Sequence, residues 1–153
     1  MRYLCIDLGD KRTGLALGDA ETRLVSPIGV VEVSIAVHAG EALLAALAKA
    51  IDEQLGTSPG ELVVGLPINM DDSEGQRARL VRAFAARLAS KASRVVHFQD
   101  ERLTSVAADW SMARSGMTRG EKKQRRDALA AAAILNDFLA GLGKGPPRLD
   151  VEP

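Results

Sequence analysis

Aromatic side chains are scarce in this 153-residue chain: they make up 3% of it, with one tryptophan and one tyrosine. A nucleic-acid site built mainly from rings stacked on bases is therefore not expected. Charge of one sign is also lacking. The 20 Lys and Arg balance 20 Asp and Glu, so the formal net charge is zero. No whole-molecule field attracts a polyanion, and any such partner must be held by a local patch. The single cysteine, Cys5, excludes an intrachain disulfide and reads as a small buried hydrophobe. The two histidines, His38 and His97, have no metal-ligand spacing, and His97 lies inside an apolar run that makes it structural. There is no apolar run long enough to span a bilayer and no signal-peptide pattern, so a cytoplasmic protein without a membrane partner is expected. What is present is ordinary for a soluble domain: 46% hydrophobic and 26% charged residues, in a chain long enough to bury a proper core.

The most informative stretch is the first nineteen residues. An apolar run, Tyr3 to Ile6, carries straight into Asp7; a turn with Gly9 and Gly14 follows, and a second apolar run ends at Gly18-Asp19. The pattern predicts a β-hairpin with a carboxylate at the end of its first, central strand. A buried strand rarely ends on a charge unless a metal ion or a positive group neutralises it. The glycines permit a sharp turn and leave room for a ligand to come close.

Along the rest of the chain, strands are expected at 2–8, 13–18, 26–33, 61–67 and 94–98. Helices are expected at 36–55 and 76–90, then over a segment capped by Thr104 that carries Val106 and Trp110, and from Asp127 to Leu142. Residues 1–142 form one domain, and the Gly- and Pro-rich tail, 143–153, is expected to be flexible. The order β-β-β-α-β-α-β-α-α predicts an α/β fold, a mixed five-stranded sheet flanked by helices. Ligands in such sheets sit outside the carboxyl ends of the central strands. Two strands end in acids, at Asp7 and at Asp100-Glu101, and the last helix opens with Asp127, so three carboxylates from distant sequence can meet at one edge.

Each candidate has a plain structural alternative. Asp7 can cap a turn, although its wholly apolar lead-in favours a ligand. Asp100 and Glu101 point to opposite faces, so at most one serves a site there. Asp127 at a helix start can cap amides or bind a ligand, and the residues alone leave the two even. Lys11, Arg12 and Thr13 sit in the hairpin loop beside Asp7, where they can contact phosphate. Arg119, Lys122, Lys123, Arg125 and Arg126 form the one dense basic run, directly before Asp127. Its position favours phosphate binding over a solvated loop. Arg102 and Thr104 are further phosphate candidates, and Asn69, Asp71 and Ser73 form a turn or a rim over the site.

Four segments together resemble the YqgF/RuvX group of bacterial Holliday-junction-resolvase-like proteins: Ile6-Asp7-Leu8-Gly9-Asp10-Lys11-Arg12-Thr13-Gly14, Val64-Gly65-Leu66-Pro67-Ile68-Asn69-Met70-Asp71, Asp100-Glu101-Arg102-Leu103-Thr104, and Asp127 with the alanine-rich run after it. They follow the family's order across nearly the whole chain. The resemblance implies a ribonuclease-H-like fold and a metal-dependent nuclease that matures the 5′ end of pre-16S ribosomal RNA. It implies Asp7, Glu101 and Asp127 as the catalytic carboxylates and metal ligands, with Mg²⁺ or Mn²⁺ as the cofactor. Related resolvases carry a further acid on the fourth strand and another one turn into the last helix. Here those places hold Gly65-Leu66-Pro67 and Ala130, which counts against junction cleavage.

The leading expectation is a hydrolase acting on structured RNA, as a monomer or weak homodimer. Branched DNA is the second substrate class. A catalytically weak RNA- or protein-binding scaffold is one alternative. A phosphate loop of the actin-like ATPase kind, suggested by Asp7-Leu8-Gly9 with Thr13-Gly14, is another, but 153 residues supply only one of the two domains such folds need.

Overall fold

Residues 1–102, 119–143, 151 and 153 are described by the structure, a computed structural model. The expected helix around Val106 and Trp110, with its cap Thr104, lies outside the described residues, as does most of the tail.

Five strands form one sheet: β1 (Arg2–Leu8), β2 (Thr13–Asp19), β3 (Val25–Val31), β4 (Gly60–Leu66) and β5 (Val96–Asp100), in the spatial order β3-β2-β1-β4-β5. β1 pairs antiparallel with β2 and parallel with β4, β2 pairs antiparallel with β3, and β4 pairs parallel with β5. β1 is central and both its faces are covered, which is why its sequence shows no polar alternation. Alternation still divides its side chains. Leu4, Ile6 and Leu8 pack under α1 (Glu41–Leu55) and α2 (Gln76–Ala92), with Leu43, Leu47, Ile51, Val81, Phe84 and Leu88. Tyr3 and Cys5 pack on the opposite face under α3 (Arg119–Ala140), with Ala131, Ile134, Leu135 and Phe138. Among the described residues no helix is long and apolar enough to cross a membrane.

Two expected helices have different beginnings. The first breaks into a short 3₁₀ turn, Val37–Gly40, and α1 proper. His38, Ala39 and Gly40 have φ of 49°, 55° and 86°, a left-handed stretch that a continuous right-handed helix cannot contain. Arg87 of α2 holds the turn by donating to the Ala39 carbonyl at 2.8 Å and to Glu41 at 2.6 Å. The last helix begins at Arg119, eight residues before Asp127. Glu, Lys, Gln and Arg at 121–126 are good helix formers, but they carry no apolar stripe, so periodicity alone reads them as a loop. The basic run is thus the opening turns of α3. Beyond α3, Val151 pairs antiparallel with Val96 at the start of β5.

Thr13 is not a loop residue. It opens β2, is fully buried on the face of Leu15, and its hydroxyl has no hydrogen-bond partner among the described residues. It cannot touch a nucleic acid. An unpartnered buried hydroxyl costs about 1–3 kcal/mol, and valine has the same branched shape without it. Thr13→Val should therefore raise unfolding stability by about 1 kcal/mol, measured by urea denaturation. A loss of stability would mean that the hydroxyl has a partner after all.

Candidate active site

β1, β4 and β5 run parallel, so their carboxyl ends share one edge of the sheet. Asp7 follows Tyr3 and Cys5 in the alternation and faces α3. On β5, His97 packs against Tyr3 and against Phe138 of α3, with ring centroids 5.9 and 5.2 Å apart. Two-residue steps from His97 bring Gln99 and then Glu101 to the same face. Asp100 follows Phe98 to the other side. Alternation therefore puts Glu101, not Asp100, on the face of Asp7.

β4 lies between the two acids, and it carries Gly65 there. A Cβ at this position would stand 2.8 Å from Glu101 Oε2 and 2.8 Å from Ile134 Cδ1. Glycine leaves the space over β4 through which the Glu101 carboxylate meets Asp7. A second glycine brings in the third acid. Gly14 pairs with Asp7 across the hairpin, and a Cβ on it would fall 2.0 Å from the backbone oxygen of Asp127. The backbone of α3 comes down onto β2 at this point. The room that Gly14 leaves is filled by a helix, not by a ligand. Asp127 lies one turn before Ala131, heading the helix face that packs on the sheet. Some 12 Å of helix precede it, so it caps no amides and gains little from the helix dipole, which fades within the first turn.

Asp7 and Glu101 form a hydrogen-bonded carboxylate pair, which requires a shared proton. Burial is the main reason that the Asp7 carboxyl is pushed up to about 8; the charge of Glu101, the hydrogen bond to it and the charge of Asp127 add to the effect. Burial also raises Glu101. Arg77 opposes both shifts. It reaches from the first turn of α2 to the Leu8 carbonyl at 2.9 Å and to the Asp10 carboxylate. Sequence reasoning missed Arg77. Its signal, an arginine in the first turn of the helix after β4, means something only once that turn is placed at the carboxyl edge of the sheet.

The expected phosphate ligands fall into three groups. Lys11 and Arg12 line a cleft of about 300 Å³ with Gly9, Asp10 and Asp127, and Arg12 Nε lies 2.7 Å from Asp127 Oδ2. Both partners are partly solvated, so this ion pair is worth about 1 kcal/mol at most. Arg102 is committed elsewhere. It donates to Asp100 at 2.8 Å, to Asp72 at 2.8 Å and to the Asn69 carbonyl at 3.2 Å, clamping the β4–α2 loop to the end of β5. Asp100 is held below the usual carboxylate range by its bonds to Arg102 in spite of its burial. Asn69, Asp71 and Ser73 bond to one another in a closed turn. Arg125 and Arg126 are exposed near the start of α3. The side chains of Arg119, Lys122 and Lys123 lie outside the described residues.

Among the described residues no group of three or more His, Cys, Asp or Glu is arranged to hold a metal ion. The donor set nonetheless suits a hard divalent cation at the pair. Asp7 and Glu101 offer only oxygen, and a cation would replace the proton between them.

The pair has a consequence for stability. A carboxyl raised in the folded state contributes stability that is complete below its ordinary value near 4 and is lost as pH rises toward about 8. An asparagine amide in place of the Asp7 carboxyl could still donate to Glu101 but would carry no charge. Without metal, Asp7→Asn should therefore melt higher than wild type at pH 9, by at least about 2–4 °C. The difference should shrink toward pH 5. A difference that is constant across this range would show that Asp7 does not titrate in the folded protein as described.

The RuvX family model, described as Holliday junction resolvase, matches residues 1–141. A protein of Anaeromyxobacter sp. (strain Fw109-5), named "Putative pre-16S rRNA nuclease", is 44% identical over 142 residues, which cover 92% of this chain and 98% of that protein. A relative of the same name from Moorella thermoacetica (strain ATCC 39073 / JCM 9320) is 38% identical over 146 residues, covering 94% and 98%. Among solved structures, T. thermophilus RuvC in complex with Holliday junction substrate superposes with a TM-score of 0.57 at 19% identity, covering 94% of this chain and 98% of that one. The sheet and its helices thus have the RuvC-like, ribonuclease-H-like fold. The three acids and all five strands fall inside the matched span, and the chain belongs to the RuvX family.

Proposed function

We propose that this protein is a metal-dependent nuclease that hydrolyses phosphodiester bonds in structured RNA, with pre-16S rRNA as its substrate in the cytoplasm. The observation that carries the reading is the Asp7–Glu101 carboxylate pair at the carboxyl edge of the sheet, with Asp127 beside it. Such a pair is unfavourable once both carboxyls are charged unless a cation lies between them. The names of the relatives supply the substrate.

Asp7, Glu101 and Asp127 would hold Mg²⁺ or Mn²⁺, which when bound supplies an activated water and stabilises the leaving oxygen. The chain does the rest. Lys11 and Arg12 hold a phosphate in the cleft beside Asp127. Arg77 fixes the end of β1 through the Leu8 carbonyl and offsets the charge of the pair. The basic run that opens α3, in which Arg125 and Arg126 are exposed, offers further phosphate contacts next to Asp127. Contacts of this kind position a substrate without reading its bases.

The test is a cleavage assay that offers a pre-16S rRNA fragment, an unrelated structured RNA and a four-way DNA junction in parallel, with and without Mg²⁺ or Mn²⁺. The pre-16S fragment should be cut, and only with metal. Asp7→Asn should reduce cleavage to background while RNA binding stays within about twofold, because the change removes a metal ligand and not a phosphate contact. Cleavage without metal, or at the wild-type rate in Asp7→Asn, would overturn the assignment. Cutting confined to the DNA junction would replace the substrate.

A further inference from the structure

We propose that Arg12 is an exchange residue: it occupies Asp127 until a nucleic-acid phosphate draws it away, so that the third carboxylate becomes available to a divalent cation only when substrate is present. The proposal rests on the nuclease reading and adds to it an order of assembly.

Both backbones around the ion pair are fixed. Asp127 cannot retreat, because its backbone oxygen already lies against Gly14. The loop that carries Arg12 is a tight turn closed by the Gly9 amide donating to the Arg12 carbonyl at 3.0 Å, and a Cβ on Gly9 would stand 2.3 Å from that carbonyl oxygen. Arg77 anchors the same loop through Leu8 and Asp10. What is free to change is the partner of each side chain. Arg12 and Asp127 are about one-third exposed, at 35% and 27%, and they line the cleft where a phosphate would enter.

The exchange follows from charge and shape. The Asp127 contact engages Nε of Arg12. A guanidinium presents a planar fork of donors that matches a phosphate, and such bidentate pairs are stronger than a single contact to a partly solvated carboxylate. When Arg12 turns to a phosphate, Asp127 loses its counter-charge. A divalent cation then meets three carboxylates instead of two. With Arg12 in place the same cation meets a positive charge at the third position. Phosphate binding and metal binding therefore favour one another. Because coupling free energies are reciprocal, each must raise the affinity of the other by the same factor.

The experiment measures binding, not turnover. Mn²⁺ is titrated into wild type, Arg12→Gln and Arg12→Lys, with and without a short phosphorothioate RNA oligonucleotide that is recovered intact afterwards; free Mn²⁺ is followed by electron paramagnetic resonance. Wild type should bind Mn²⁺ roughly five- to tenfold more tightly with the oligonucleotide, a coupling of the usual size. Its oligonucleotide affinity should rise by the same factor when Mn²⁺ is added. Arg12→Gln should bind Mn²⁺ more tightly than wild type without the oligonucleotide and gain little from it. Arg12→Lys, which keeps the charge, should stay near wild type without the oligonucleotide. Equal Mn²⁺ affinity in wild type and Arg12→Gln without oligonucleotide would overturn the exchange and leave the nuclease reading standing. Failure of both proteins to bind Mn²⁺ at all would overturn both.

Discussion

Two half-buried carboxylates, one near the end of β1 and one just past the end of β5, meet over the strand between them and share a proton. Nothing in the packing of the sheet asks for this. Burial raises the protonation range of both Asp7 and Glu101, the charge of Glu101 pushes Asp7 further up, and the surrounding residues tolerate or offset the pair. Gly65 clears the path between the two side chains. Arg77 contributes a positive charge from α2 while it ties down the end of β1. Gly14 lets α3 descend until Asp127 adds a third negative charge, and Arg12 balances that charge in turn. Moving any of these groups changes the electrostatic cost of the pair. A pair built in this way costs stability once both carboxyls are charged.

The same constraint bears on substrate. Related resolvases are expected to carry an acid on the fourth strand, where this chain has Gly65-Leu66-Pro67. Here the space above position 65 belongs to the Glu101 carboxylate and to Ile134, and even a methyl group would collide with both. Ala130, where a second helix acid is expected, is buried. The chain thus keeps the ribonuclease-H-like sheet seen in RuvC with no acid at either of these two places. In the proposed nuclease, the basic residues would supply what the neutral molecule otherwise lacks, a local surface for a polyanion. They begin α3 and lead directly to Asp127.

Much of this is legible in the sequence, for reasons that can be named. The strands and the two middle helices follow from periodicity, and the edge where the acids gather follows from the order of the elements. The choice of Glu101 over Asp100 needs the resemblance, yet the face is carried by alternation from His97, whose packing becomes visible only with α3 in place. The start of α3 is not legible, because its first turns are polar all round and leave no stripe to count. Arg77 and Gly65 are not legible either. Their roles depend on contacts with Leu8 and Glu101, tens of residues away, and local pattern carries no information about such distances. Gly14 reads as a turn glycine; its position is demanded by a helix that arrives more than a hundred residues later.

The central claim is that Asp7, Glu101 and Asp127 form one cation site. Its most direct test is a crystal of the protein soaked in Mn²⁺ with a short RNA, and an anomalous difference map collected above the manganese absorption edge. The account predicts a peak within coordination distance of Asp7 and Glu101, with Asp127 turned toward it and Arg12 turned away to a phosphate. A fully soaked crystal with no peak at this edge of the sheet, or with manganese bound at other residues while Arg12 stays on Asp127, would contradict it.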